Sequence, residues 1–273
     1  MEANWLGVAV AAYGLAAGAA AGSFALAGRA FRGTAETAVA IFLAAGVAAH
    51  TLSLALRWDR VGHGPFISMF EVLSSNVWSL SLLFLAAFLR VKAVRPAAAV
   101  ALPVVFMLMA WMLSTSPDDG HLPATYRTLW LYAHVGFGKV FLGALLVATA
   151  IAGLVLLDRG GAGGPGVAAG GDAAAMERLA LRFVVLAFVF ESLMLVTGAV
   201  WAQDAWGRYW DWDPLETWAF LTWIAIAMLL HARVTFRVPP RATATMIVAV
   251  FALAFLTFFG MPFVSTALHK GAV

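Results

Sequence analysis

Long apolar runs separated by short polar breaks dominate the chain. A helix needs roughly 20 predominantly apolar residues to cross a bilayer. Eight stretches meet that length, at about 4–28, 36–57, 70–90, 95–114, 131–157, 179–202, 214–236 and 243–264. The pattern predicts an all-α integral membrane protein with about eight transmembrane helices, organised as one polytopic domain over residues 1–273. One break differs from the rest. DRGGAGGPGVAAGGDAAAMER, from Asp158 to Arg178, is rich in Gly and Ala and reads as a flexible linker. The amino-terminal MEANWLG has no basic region, so the first apolar run is expected to be a retained span rather than a cleaved signal. There is no convincing internal repeat.

Composition agrees with this class and excludes others. The chain is 63% hydrophobic and 11% charged, with a mean hydropathy of +0.91, against about 25% charged residues in soluble domains. Its net charge of +3 does not point to nucleic acid, because the basic residues sit between apolar spans. They act as topology determinants. With both termini outside, the inner segments hold Arg29, Arg32, Arg90, Lys92, Arg95, Arg159, Arg178, Arg182, Arg233, Arg237 and Arg241, and the outer ones only Arg57, Arg60, Arg127, Arg208 and Lys270. The positive-inside rule then predicts extracytoplasmic termini and a cytoplasmic 158–178 linker. The chain has no cysteine, so any thiol must come from a partner or substrate.

Candidate chemistry concentrates in WAQDAWGRYWDWDPLETWAFLTW, from Trp201 to Trp223, which holds six of the eleven tryptophans. Asp204, Arg208, Asp211, Asp213 and Glu216 lie among them. Interfacial belts are rich in Trp, but six in one loop and helix start exceed what an anchor requires. Acidic groups are costly to bury unpaired, and a plain loop would not expose so many aromatics. The mixture suits a flat apolar ligand with a charged edge, held at a water–membrane boundary, and haem has that character. Topology puts the segment 201–217 on the outer side. Asp213-Pro214-Leu215-Glu216 is also a helix-start pattern: Asp213 as N-cap, Pro214 at N1 and Glu216 closing a capping box. Arg208 has two equivalent readings, pairing with a ligand carboxylate or with Asp204 or Asp211.

The six histidines sort by depth. His134, at the start of the fifth span, and His269, past the end of the eighth, both fall at the level of the Trp-rich loop. Two neutral imidazoles on opposite faces of a haem would make a bis-His site there. His231 follows Pro214 by 17 positions, about 25 Å down a helix, near the inner face. His50 lies about 10 Å below the outer face and so is a poor co-ligand for His231. If His231 binds a haem, its second ligand comes from another chain; the plain reading is a helix-end histidine beside Arg233. His63 and His121 sit by Gly and Pro and fit as turn residues or local hydrogen-bonders, with His121 in reserve for the outer pair. Lys139 and Glu191 fall within spans, and their pairing is the expectation.

WAQDAWGRYWDWDPLETWAFLTWIAIAMLLH resembles the WWD signature of the haem-handling proteins of cytochrome c biogenesis. The resemblance is closest to the CcsA (ResC) subunits of System II cytochrome c synthases and covers most of the chain. GHGPFISMFE resembles that family's early loop motif. LWLYAH, LLH and TALH resemble the segments carrying the first external, the membrane and the second external histidine, and end at His134, His231 and His269. Leu215 stands where the family usually has lysine, and LHKGAV replaces the usual serine and tyrosine.

The resemblance implies a plasma-membrane haem lyase subunit. It would transport haem b and present it, outside, to the CXXCH thiols of apocytochrome c. His134 and His269 would ligate the outer iron. His231 would ligate a membrane haem, its second ligand supplied by a CcsB (ResB)-like partner. Trp206, Trp210, Trp212 and Asp213 would form the presenting segment, with Trp201, Arg208 and Trp218 as further haem contacts. Thiol-reducing proteins would act indirectly. The absence of Cys fits, since a competing thiol beside activated vinyl groups would be a liability. Two other readings share features of the sequence: a CcmC-like haem exporter without lyase activity, and a structural subunit whose tryptophans dock a partner.

Overall fold

The computed structural model describes residues 1–25, 29–158 and 173–261. Among them are eight helices long and apolar enough to span a membrane. These are α1 (Glu2–Ala25), α2 (Arg29–Val61), α3 (Met69–Arg90), α4 (Ala98–Leu113), α5 (Leu129–Leu157), α6 (Ala173–Trp206), α7 (Pro214–Thr235) and α8 (Pro240–Phe255). A 3-10 turn over Lys92–Ala97 leads into α4, and a π-helical turn over Leu256–Gly260 continues α8. The chain is a multi-pass all-α membrane protein, as its apolar pattern predicts.

Helix α5 is the centre of the bundle. It packs against α3, α4, α6 and α8 and is buried almost without a break from Phe141 to Val155. Its run of Gly, Ala and Leu lets neighbouring backbones approach closely, which is how helices associate where lipid is as apolar as the side chains. Helices α1 and α2 pair with each other and lean on α4 and α3.

The helix starts follow local chemistry. Ser68 caps α3 by accepting from Glu71 N at 3.3 Å, and Glu71 Oε2 accepts in return from Ser68 N at 3.2 Å. Two helices outrun their apolar cores. α2 has 33 residues and α6 has 34, about 50 Å each, against a hydrocarbon core of roughly 30 Å. The sixth span expected at 179–202 therefore covers only the middle of α6. Its added turns are polar at both ends, carrying Glu177 at one and Gln203 and Asp204 at the other. Polar residues continue the helix without adding to the apolar run, Glu177 being buried against Arg233. Residues 159–172, most of the expected linker, lie outside the described residues, and α6 already begins at Ala173.

One end of the bundle gathers the start of α1, the end of α2 and the links α2–α3, α4–α5 and α6–α7. This is the Trp end. An ion cluster knits it together. Arg57 is 2% exposed and donates to Glu71 Oε1 at 2.9 Å, Glu2 Oε1 at 2.8 Å and the Pro117 and Asp118 carbonyls at 3.2 and 2.8 Å. Arg60 grips Asp119 with two hydrogen bonds, which hold the Asp119 carboxyl below the usual carboxylate range. At the opposite end, Arg233 on α7 binds Glu177 on α6 at 2.6 Å, and Arg241 donates to the Asp158 and Leu156 carbonyls.

Candidate functional site

At the Trp end, α6 stops at Gly207, whose φ of +76 suits the left-handed residue that closes a helix. The chain turns through 207–213 and enters α7 at Pro214. Asp213 Oδ1 accepts from Glu216 N at 2.8 Å, while Glu216 Oε2 accepts from Asp213 N at 3.3 Å and Asp211 N at 2.8 Å. The capping box read from DPLE is therefore formed, and both acids hold the helix start. Replacing Asp213 with Ala is expected to lower stability by about 1 kcal/mol, and Asp213→Asn by much less. Thermal unfolding in detergent measures this; equal losses for the two would remove the cap as the cause.

Arg208 pairs with Asp211 at 2.6 Å, both side chains about half exposed. Of its alternatives, the local acid is its partner here.

The tryptophans divide into two groups. Trp201 and Trp206 lie on the last turns of α6, ring centroids 4.9 Å apart, and Tyr126 meets both edge-on. Trp206 Nε1 also donates to the Tyr126 hydroxyl at 3.2 Å. With Leu122 and Leu131 they form a small core of their own, which ties the α4–α5 link to α6. Trp210 and Trp212 meet edge-on at 5.7 Å, and both lean on Phe220. Trp212 is 68% exposed and has a φ of +58. For a bulky non-glycine residue that conformation stores about 1–3 kcal/mol, and such outliers concentrate at functional sites.

A cavity of about 270 Å³ opens between these groups. His134, Trp201, Trp210, Tyr209, Leu215 and Glu216 contribute to its wall, together with Phe66, Ile67, Met69 and Val72 from the second loop and α3. Thr257 and Phe258, from the π-helical turn of α8, also line it. Trp206, Trp212, Asp213, Arg208 and Trp218 are not in the wall. Trp218 instead offers its carbonyl to Thr222 Oγ1 at 2.8 Å.

A backbone carbonyl on α6 orients the His134 ring. Its Nδ1 lies 2.9 Å from the Met194 carbonyl. A carbonyl only accepts, so Nδ1 carries the proton and the lone pair lies on Nε2. Such a bond fixes tautomer and ring orientation in metal-binding histidines. Trp201 stacks on the ring at 6.0 Å and 15°, and Gly198 lies so close to it that a Cβ there would be 2.6 Å from Nδ1. The residues present fit a flat, apolar, metal-bearing ligand. The wall is mostly aromatic and aliphatic, it holds an imidazole donor, and the Trp210 indole N–H is buried without an acceptor among the described residues.

The other histidines are disposed differently. His269 lies outside the described residues. His231 is exposed on the last turns of α7, with Thr235 Oγ1 3.4 Å from Nδ1 and the Phe236 ring edge-on. His50 is a buried structural residue whose Nε2 lies 2.9 Å from Ser74 Oγ and Nδ1 3.5 Å from the Tyr13 hydroxyl. His63 bridges the Gly64 and Gly120 carbonyls, as a local hydrogen-bonder should, and His121 is exposed. The expected Lys139–Glu191 pair is not formed. Lys139 Nζ donates across to Ser75 Oγ on α3 at 2.8 Å, and both Glu191 oxygens are buried without a hydrogen-bond partner among the described residues. Rotation about the helix axes turns Lys139 towards α3, which depth along a helix could not reveal.

The match that decides the family covers three quarters of the chain: the family described as "Cytochrome C assembly protein" matches residues 65–269. The chain belongs to the cytochrome c assembly protein family. Its function is accordingly in cytochrome c biogenesis. It is 28% identical over 249 residues to the cytochrome c biogenesis protein CcsA of Prochlorococcus marinus (strain MIT 9312), covering 81% of this chain and 80% of that one. It is 30% identical over 252 residues to CcsA of Parasynechococcus marenigrum (strain WH8102), covering 81% of each. The fold is similar to that of the cytochrome c haem lyase CcmF, with a TM-score of 0.68 at 18% identity. That likeness covers 95% of this chain and 46% of the CcmF chain, so this chain spans about half the length of that lyase.

Sequence reasoning missed Met194 and Gly198, which position His134, and the wall supplied by Phe66, Ile67, Met69 and Val72. A signal for three of these was present, since the motif GHGPFISMFE contains Phe66, Ile67 and Met69.

Proposed function

We propose that this protein presents haem b on the extracytoplasmic side of the plasma membrane for covalent attachment to the CXXCH thiols of apocytochrome c. The observation that carries the reading is the His134 imidazole, set in the wall of an aromatic cavity with its tautomer fixed by the Met194 carbonyl. In this reading His134 and His269 hold the iron from opposite faces. Each substrate thiol adds across one haem vinyl, sulfur to one carbon and a proton to the other, giving a thioether. The protein's part is positioning: holding vinyls beside two thiols offsets entropy worth up to about 7–11 kcal/mol in ideal cases. Trp210, from the cavity wall, and the exposed Trp212 beside it form the surface that meets the apocytochrome. His231, exposed on α7, is the site of a membrane haem whose second ligand comes from a CcsB (ResB)-like subunit, and activity requires that subunit.

The test is an absorption spectrum of the protein purified with its partner. Wild type is expected to show low-spin bis-His haem, and His134→Ala combined with His269→Ala to lose the outer haem while keeping some bound through His231. A colourless wild-type complex from haem-replete cells would sink the reading.

A further inference from the structure

A second cavity adjoins the one that holds His134. It has a volume of about 130 Å³ and shares the wall residues Phe66, Val72, His134, Val135, Met194 and Phe258 with the first. Its added wall is polar, from Ser75 and Asn76 on α3 and Lys139 on α5. Lys139 lies five residues beyond His134, about 7–8 Å along the helix. An ammonium has three donors. Here one is used, on Ser75 Oγ at 2.8 Å, and no carboxylate lies within ion-pair distance among the described residues. A cation at membrane depth is costly unless it is paired or faces a functional cavity.

We infer that Lys139 and Ser75 form an anion subsite in this second cavity, which takes a carboxylate of the ligand whose metal His134 holds. The inference rests on the haem reading above and assigns the propionate end. The porphyrin stands along α5, with its iron at His134 and a propionate in the second cavity. Iron and propionate of a porphyrin are separated by a span comparable to the rise between the two residues. Arg208, the cation nearest to the tryptophans in sequence, is taken by Asp211 and lies outside the cavity wall. The vinyl edge opposite the propionates then faces Trp210 and the exposed Trp212, where thiols can reach it.

The experiment titrates the purified full chain, with any co-purifying subunit, with ferric haem and with its dimethyl ester. The ester keeps ring, iron and vinyls but carries no carboxylate charge. Wild type is expected to prefer haem by about 30-fold or more, the scale of a buried charge pair. Lys139→Met is expected to bind both porphyrins alike at the wild-type ester affinity, and Lys139→Arg to keep most of the preference. Equal binding of the two porphyrins by wild type overturns the subsite even if the variants fail to fold, and so does a preference that survives in Lys139→Met. Wild type that binds neither porphyrin overturns the haem reading and the subsite with it.

Discussion

Arg57→Ala is expected to destabilise the protein by about 3–5 kcal/mol, the cost of leaving a buried charge uncompensated. The charge left behind is Glu71, fully buried, which receives the Arg57 Nε at 2.9 Å. Glu71 is also the N3 residue of the α3 capping box and accepts from Ile67 N at 3.0 Å. Losing Arg57 therefore unsettles the helix start and the 65–68 loop that supplies Phe66 and Ile67 to the cavity. The same guanidinium holds Glu2 and the Pro117–Asp118 carbonyls, so three segments distant in sequence come loose together. Arg57→Lys is expected to recover little, because one ammonium cannot reproduce the planar fork of donors. Arg60→Ala serves as the contrast: its side chain is 49% exposed, and such surface pairs are worth about 0–1 kcal/mol. Thermal unfolding in detergent reads all three, and an Arg57→Ala protein as stable as Arg60→Ala would remove the cluster from any role in stability.

On the proposed haem reading, Gly198→Ala is expected to cost the haem ligated by His134 while leaving the bundle assembled. A Cβ at this position would lie 2.6 Å from His134 Nδ1 and 2.8 Å from Cε1. The ring must then move, and it cannot do so without losing the 2.9 Å bond to the Met194 carbonyl. Disturbing the partner that orients a metal-binding histidine lowers metal affinity by about 10–100-fold. Gly18→Ala is the control, since a Cβ there meets nothing within 4 Å and alanine favours a helix interior. The measurement is haem affinity of the purified protein beside its unfolding temperature. If Gly198→Ala binds haem like wild type, the orientation of His134 does not govern ligation.

Much of the bundle was legible in the chain because its signals are local. Apolar run length marks each span, and Asp213, Pro214 and Glu216 set the start of α7 within three adjacent residues. The ends of α2 and α6 were not legible, since polar turns extend a helix without lengthening its apolar run. Histidine depth came from simple rise per residue and separated His134 from His231 correctly along their helices. Partners across helices did not follow from depth. Lys139 and Glu191 both fell within spans, yet Lys139 turned to Ser75, and Arg208 had Asp204 and Asp211 as equivalent acids until the loop took its shape.

The sequence by itself determined an all-α membrane protein with eight spans, a capped Trp-rich turn and an imidazole at that level. These rest on hydrophobicity, helical rise and capping, all of which act over a few residues. Only the tertiary structure decided which tryptophans line a cavity, that Gly198 and the Met194 carbonyl fix the His134 ring, and that Lys139 lines the cavity adjoining it. Those outcomes depend on how each helix is rotated about its axis against its neighbours, and that rotation is set by packing between residues far apart in the chain.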